Sequence, residues 1–128
     1  MNAIHYHDLK GRTIESDNPI PLGPDAPDIC MQSGEHVHYL EPWRTVVHLD
    51  DLRIHLSRLC RYNGACDWSI LQHLALCVRL ARMSRYDVDG LRYVAAHDLH
   101  EAYVGDLPTA LKTLLPDFQR IEDAWEAH

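Results

Sequence analysis

Apolar positions recur along this chain in two rhythms, one of period two and the rest helical. From Gly34 the run Glu35-His36-Val37-His38-Tyr39-Leu40 alternates until Pro42, which predicts a short strand or hairpin arm. Val37 and Tyr39 then face the domain and both histidines point outward. Asp50 or Asp51 offers an N-cap for a helix over Leu52 to Tyr62, with Leu52, His55, Leu56 and Leu59 as its apolar stripe and Asn63-Gly64 as its end. Ser69 can cap a second helix, Ile70 to Met83, whose apolar face is broad enough for a central position. Leu91, Val94, Ala95, Leu99 and Ala102 predict a third, N-capped by Asp89, closed by Gly105 and cut off at Pro108. A short helix carrying Leu111 and Leu114 follows. After Pro116 comes another, capped by Asp117, with Phe118, Ile121 and Trp125 on one side.

The first 29 residues break these rhythms. Pro19, Pro21, Pro24 and Pro27, with Gly11 and Gly23, forbid long helices and favour an extended arm. His5 and His7 stand two apart, but at a chain terminus that spacing is read as incidental. The expected organisation is therefore an arm over residues 1–32 and one domain over residues 33–128, mainly helical.

Composition narrows the class of protein. In 128 residues, 46% hydrophobic and 24% charged, there is room for one modest core. A net charge of -7 argues against nucleic-acid binding, which needs a clustered excess of Lys and Arg. Arg79, Arg82 and Arg85 come nearest to a patch and read as the solvated end of a helix. The four cysteines, Cys30, Cys60, Cys66 and Cys77, form no CxxC pair and read as reduced, mostly core residues. With neither a signal peptide nor an apolar run long enough for a membrane, a cytoplasmic location is expected.

Candidate chemistry gathers where polar side chains interrupt apolar faces. His73 breaks the second helix between Leu71 and Leu74. His97, Asp98 and Glu101 lie over neighbouring turns of the third. Each alone is equally well a core histidine or a solvated carboxylate. If the two helices pack together, two imidazoles and Asp98 converge, and such a group must be paired, neutralised or bound to a cation. Imidazole with carboxylate suits zinc, manganese, cobalt or iron.

Together with Ser33-Gly34, the Leu-Ser-Arg-Leu-Cys-Arg-Tyr-Asn-Gly run ending at Gly64, Trp68-Ser69-Ile70-Leu71-Gln72-His73 and Gly105-Asp106-Leu107-Pro108, these residues resemble the HD-domain metal-dependent phosphohydrolases. The likeness is greatest to the small bacterial and phage nucleotide hydrolases, and it runs from Ser33 onward. It implies an all-α HD-type bundle, often a homo-oligomer, in which His73, His97 and Asp98 hold a divalent ion (Mn, Co, Zn, Fe or Mg). By the same resemblance Glu101 is the acid/base residue, Asp106 an active-site carboxylate, and Arg61, with Lys112 second, a phosphate contact. Tyr62 and Pro108 inherit a role in shaping the base pocket. The family's fourth ligand, an aspartate on a later helix, has no counterpart here, so the expected domain lacks the last helices of the family. Water, another chain, or weakened metal binding would then account for the fourth position.

The implied reaction is hydrolysis of a phosphate ester or anhydride in a nucleotide. Deoxynucleoside triphosphates such as dATP are the first expectation and nucleoside monophosphates the second. Two rivals stay open: a catalytically impaired HD-like module that binds nucleotides or acts as a scaffold, and a cyclic-nucleotide or alarmone hydrolase.

Overall fold

A computed structural model describes residues 28–128 together with the strands His5–His7 (β1) and Thr13–Glu15 (β2), which pair antiparallel with His5 opposite Glu15. The prolines and glycines of the expected arm, Gly11 to Pro27, lie outside the described residues. Next come the strands Asp28–Cys30 (β3) and His36–His38 (β4), antiparallel with Ile29 opposite Val37. That hairpin joins residues on both sides of position 32. The chain is mainly helical beyond it, with α1 (Leu49–Arg58), α2 (Ile70–Met83), α3 (Val88–Ala96), α4 (Glu101–Val104), α5 (Thr109–Lys112) and α6 (Pro116–Ala127).

The expected alternation holds in part. Val37 is fully buried and Tyr39 partly so, while His36 is exposed. His38 is not outward as expected: it is half-buried, and its Nδ1 has no partner. The α1 expectation also shifts, because the helix spans Leu49–Arg58 with His48 at the N-cap. Asp51 does not cap it, for the reason that its carboxylate has a distant partner. Ser33 donates to it from both its N–H (3.0 Å) and its Oγ (2.5 Å), tying the β-hairpin turn to α1. Leu59 ends the helix, and Asn63-Gly64 lies beyond it in a 3-10 turn.

For α2 the expected bounds are met. Ser69 Oγ accepts from the Gln72 N–H, and the Gln72 side chain accepts from the Ser69 N–H, a reciprocal capping box that fixes the register of every later residue on the helix. The third helix differs most from expectation. Asp87, not Asp89, caps it, accepting from Gly90 N–H at 2.8 Å. It carries Leu91, Val94 and Ala95 as expected but stops at Ala96, before His97, Asp98, Leu99, Glu101 and Ala102. Leu99 N–H then bonds to Ala96, Glu101 to Asp98 and Ala102 to Leu99, all spaced by three, so the chain tightens into turns before α4. Gly105, at φ +84°, ends α4 in the left-handed region. On α6 the N-cap is Leu115 with Pro116 next, and Asp117 sits in the first turn, paired with Arg120, rather than capping.

The core unites the hairpin with α1, α2, α4 and α6 through Met31, Val37, Leu52, Leu56, Ile70, Leu74, Ala102, Tyr103 and Trp125. Trp125 stacks on Tyr103 (centroids 4.6 Å apart), and its Nε1 donates to the Tyr39 carbonyl at 3.2 Å. No residue of α3 is buried. It packs chiefly on α2, and that pairing brings its C-terminal end, with His97 and Asp98, beside the flank of α2 that carries His73.

Candidate metal centre

Three side chains from three segments meet on one oxygen. Oδ2 of Asp98 lies 3.1 Å from His97 Nε2, 3.3 Å from His73 Nε2 and 3.5 Å from Arg61 Nη1, which donates to it. Local structure explains each arrival. Cys60 and Ser69 bridge as isolated strand partners, with Arg61 N–H donating to the Trp68 carbonyl and Ile70 N–H to Leu59, so the loop between them is pinched at its neck. Arg61 is thus held beside the start of α2, one turn before His73. The His97 ring is oriented from behind: its Nδ1 lies 2.7 Å from the Val94 carbonyl oxygen. A carbonyl only accepts, so Nδ1 carries the proton and, in the neutral ring, the Nε2 lone pair faces Asp98.

A lone pair directed at a carboxylate oxygen 3.1 Å away is repulsive unless a proton or metal cation stands between. The two imidazole-to-carboxylate edges can be compared with those of a metal site. With bonds of about 2.0–2.2 Å to nitrogen and oxygen, neighbouring ligand atoms of a tetrahedral zinc lie about 3.3 Å apart. The two imidazole-to-carboxylate distances are 3.1 and 3.3 Å. A backbone carbonyl holding the distal nitrogen is the usual way a metal-binding imidazole is oriented. His73 also favours the ligating form: burial first, then the Arg61 guanidinium, lowers its pKa against the opposing pull of Asp98.

Glu101 is the buried acid of the site. The residue is 5% exposed, and its Oε2 has no hydrogen-bond partner among the described residues. Burial above all, then the charges of Asp98 and Asp106, pushes its pKa up to about 8, while Lys112 and Arg61 pull weakly the other way. Near neutral pH it holds a proton. Asp106 is half-buried and electrostatically coupled to both His73 and Glu101.

The remaining candidates are dispersed. Lys112 is bound to Glu122 on α6, at 2.5 Å between Nζ and Oε1, with His100 3.6 Å from the same oxygen. The expected base-pocket residues stand in the open: Pro108 is exposed and Tyr62 is 67% exposed, under the Arg61 guanidinium at 5.4 Å. The cleft nearest the cluster, of about 360 Å³, is instead lined by Cys77, Leu80, Tyr86, Tyr93, Val94 and His97 among others.

Sequence reasoning missed Cys77. In the sequence it reads as a reduced core residue, yet its Sγ lies 3.6 Å from His73 Nε2 and 3.7 Å from Nδ1, and the thiol and both imidazoles have ligand atoms within 4.8 Å of one another. Its spacing of four from His73 was the available signal. The His100–Glu122–Lys112 group was missed too, being formed across 22 residues of chain.

No family model matches the sequence, and no solved structure matches it. Among curated proteins, the chain is 34% identical over 97 residues to YfdR, an uncharacterized protein of Escherichia coli (strain K12). That match covers 74% of this chain and 52% of YfdR, so the chain spans about half the length of the relative. Among the described residues, no helix is long and apolar enough to cross a membrane.

Proposed function

We propose that this protein is a metal-dependent phosphohydrolase acting on nucleotides, of the HD type, with deoxynucleoside triphosphates as the first candidates. The observation that supports it is the meeting of two neutral-capable imidazole nitrogens and an arginine on one oxygen of Asp98. His73, His97 and Asp98 would hold a divalent ion. Bound there, such an ion supplies polarisation of a phosphoryl oxygen and a water of lowered pKa.

The chain's own residues then divide the remaining work. Arg61, already aimed into the cluster, is within reach of a phosphate oxygen as an alternative partner to Asp98 and balances charge that develops on it. Glu101 holds a proton in a dry setting and can give it to a leaving oxygen or, once ionised, accept one from water. Asp106 raises the proton affinity of Glu101 and so tunes that exchange. The -7 overall charge slows encounter with an anionic nucleotide but leaves the local field to the cation and Arg61.

The test is a hydrolysis panel: the purified chain with each nucleoside mono- and triphosphate, in Mn²⁺, Co²⁺, Mg²⁺ or Zn²⁺, with products separated by chromatography. Asp98→Ala is run beside it with metal content measured in both. Turnover that requires metal and vanishes with Asp98, together with the metal, is the expected result. Unchanged metal content in Asp98→Ala sinks the ligand assignment. Metal and nucleotide bound without turnover points instead to a binding module.

A further inference from the structure

We infer that Cys77 is a fourth protein ligand of this centre, making it a His₂-Asp-Cys site selective for zinc or cobalt over manganese and magnesium. The inference rests on the metal reading above and adds the donor that neither the resemblance nor the sequence supplied. Three observations carry it. First, His73 and Cys77 stand four apart on α2, one turn above each other on a single face, the spacing at which one helix can present two donors to one ion. Second, that face meets His97, and the thiol and both imidazoles offer ligand atoms within 4.8 Å of one another. Third, Sγ lies 3.6 Å from His73 Nε2, so the thiol and the imidazole are already neighbours.

Sγ now sits beside the His73 ring, nearly equidistant from its two nitrogens. Ligation therefore asks for rotation of the Cys77 side chain and not for movement of α2. The 360 Å³ cleft that Cys77 lines leaves space for that rotation. On binding, the thiol loses its proton to solvent and the thiolate pairs with the cation, so one proton is released for each ion bound through sulfur. A thiolate is a soft ligand, unsuited to magnesium and manganese, whereas zinc and cobalt accept mixed nitrogen, oxygen and sulfur sets. Four protein donors also do not close the centre to substrate, since zinc can expand to five-coordinate.

Cobalt reports sulfur directly. The full chain, reduced and handled without oxygen, is titrated with Co²⁺ and followed by absorption, alongside Cys77→Ser and the control Cys60→Ser. The expected wild-type spectrum has strong visible bands of four-coordinate cobalt and a near-ultraviolet thiolate-to-cobalt band. Cys77→Ser should keep visible bands but lose the near-ultraviolet one, and its zinc affinity should fall at least about tenfold with that for Mn²⁺ little changed. Cys60→Ser should match wild type. Visible bands without the near-ultraviolet band in wild type overturn the assignment of Cys77 while sparing the metal centre. Retention of that band in Cys77→Ser overturns it equally. No cobalt spectrum at all overturns the metal reading, and this inference with it.

Discussion

Arg61 donates to Asp98 across 37 residues of chain, on the same carboxylate oxygen that two histidines face. One oxygen cannot serve a guanidinium and a metal ion equally well, so under the proposed function the arginine would exchange Asp98 for an incoming phosphate. Arg61→Ala should then weaken nucleotide binding and also slow the chemical step. A charge-assisted hydrogen bond contributes about 1.5–3 kcal/mol, which corresponds to a rise in KM of roughly ten- to a hundredfold. Metal content should stay at or above the wild-type level, because a competitor for Asp98 has been removed. Steady-state kinetics with metal analysis checks both, and a lost metal with unchanged KM would refute the role.

Glu101 gives the apo protein a pH signature. Its carboxyl pKa is pushed from 4.5 to about 8 by folding, chiefly through burial. The folded state therefore keeps a proton that the unfolded chain releases near pH 4.5. That contribution to stability is fully present below the unfolded pKa and is lost as pH rises through the window up to about 8, at up to about 1.4 kcal/mol per pH unit. Glu101→Gln stays neutral throughout and should flatten the loss. Urea unfolding of metal-free wild type and variant at about pH 5.5 and about pH 7.5 measures it, and equal slopes in the two proteins would count against a buried, protonated Glu101.

Asp51 should matter to stability and not to the metal. It is 2% exposed and receives both donors of Ser33. Asp51→Ala leaves the Ser33 N–H without its acceptor and unfastens the hairpin turn from α1. The expected cost is about 1.5–3 kcal/mol, read as a lower urea midpoint at unchanged slope, with metal binding retained by the protein that remains folded.

What could be read from the sequence was what is decided within a turn or two of chain. Ser69 and Gln72 are three apart, and their reciprocal bonds start α2 where the pattern puts them. Val37 and Trp125 sit in the core as their periodicity asks. The break after Ala96 was not readable, because apolar spacing runs on through Leu99 and Ala102. What accompanies the break is a side-chain event: the His97 ring occupies the Val94 carbonyl. Asp51 looks like a cap until Ser33, 18 residues earlier, claims it. The same limit applies to the centre itself. His73, His97 and Asp98 could be named as a group, but their convergence depends on α2 packing against α3, and Cys77, half-buried, hid among the apolar residues of α2.

Glu122 supports the last prediction. Its Oε1 receives Lys112 and faces His100, with side chains 10%, 18% and 9% exposed respectively. The group links α5 and α6 to the residue just before Glu101. Removing one member of a buried pair strands the other's charge, whereas replacing both by apolar groups of like size can be nearly neutral. Glu122→Gln should therefore destabilise by about 2 kcal/mol or more, and Lys112→Met in the Glu122→Gln background should recover much of that loss. A double-mutant cycle by urea unfolding checks the coupling. If Lys112 instead serves the substrate, as the resemblance implies, Lys112→Met alone raises KM, and Glu122→Gln, by freeing the amine, lowers it. Equal KM values across the cycle would leave Lys112 a fastening of α5 to α6 and nothing more.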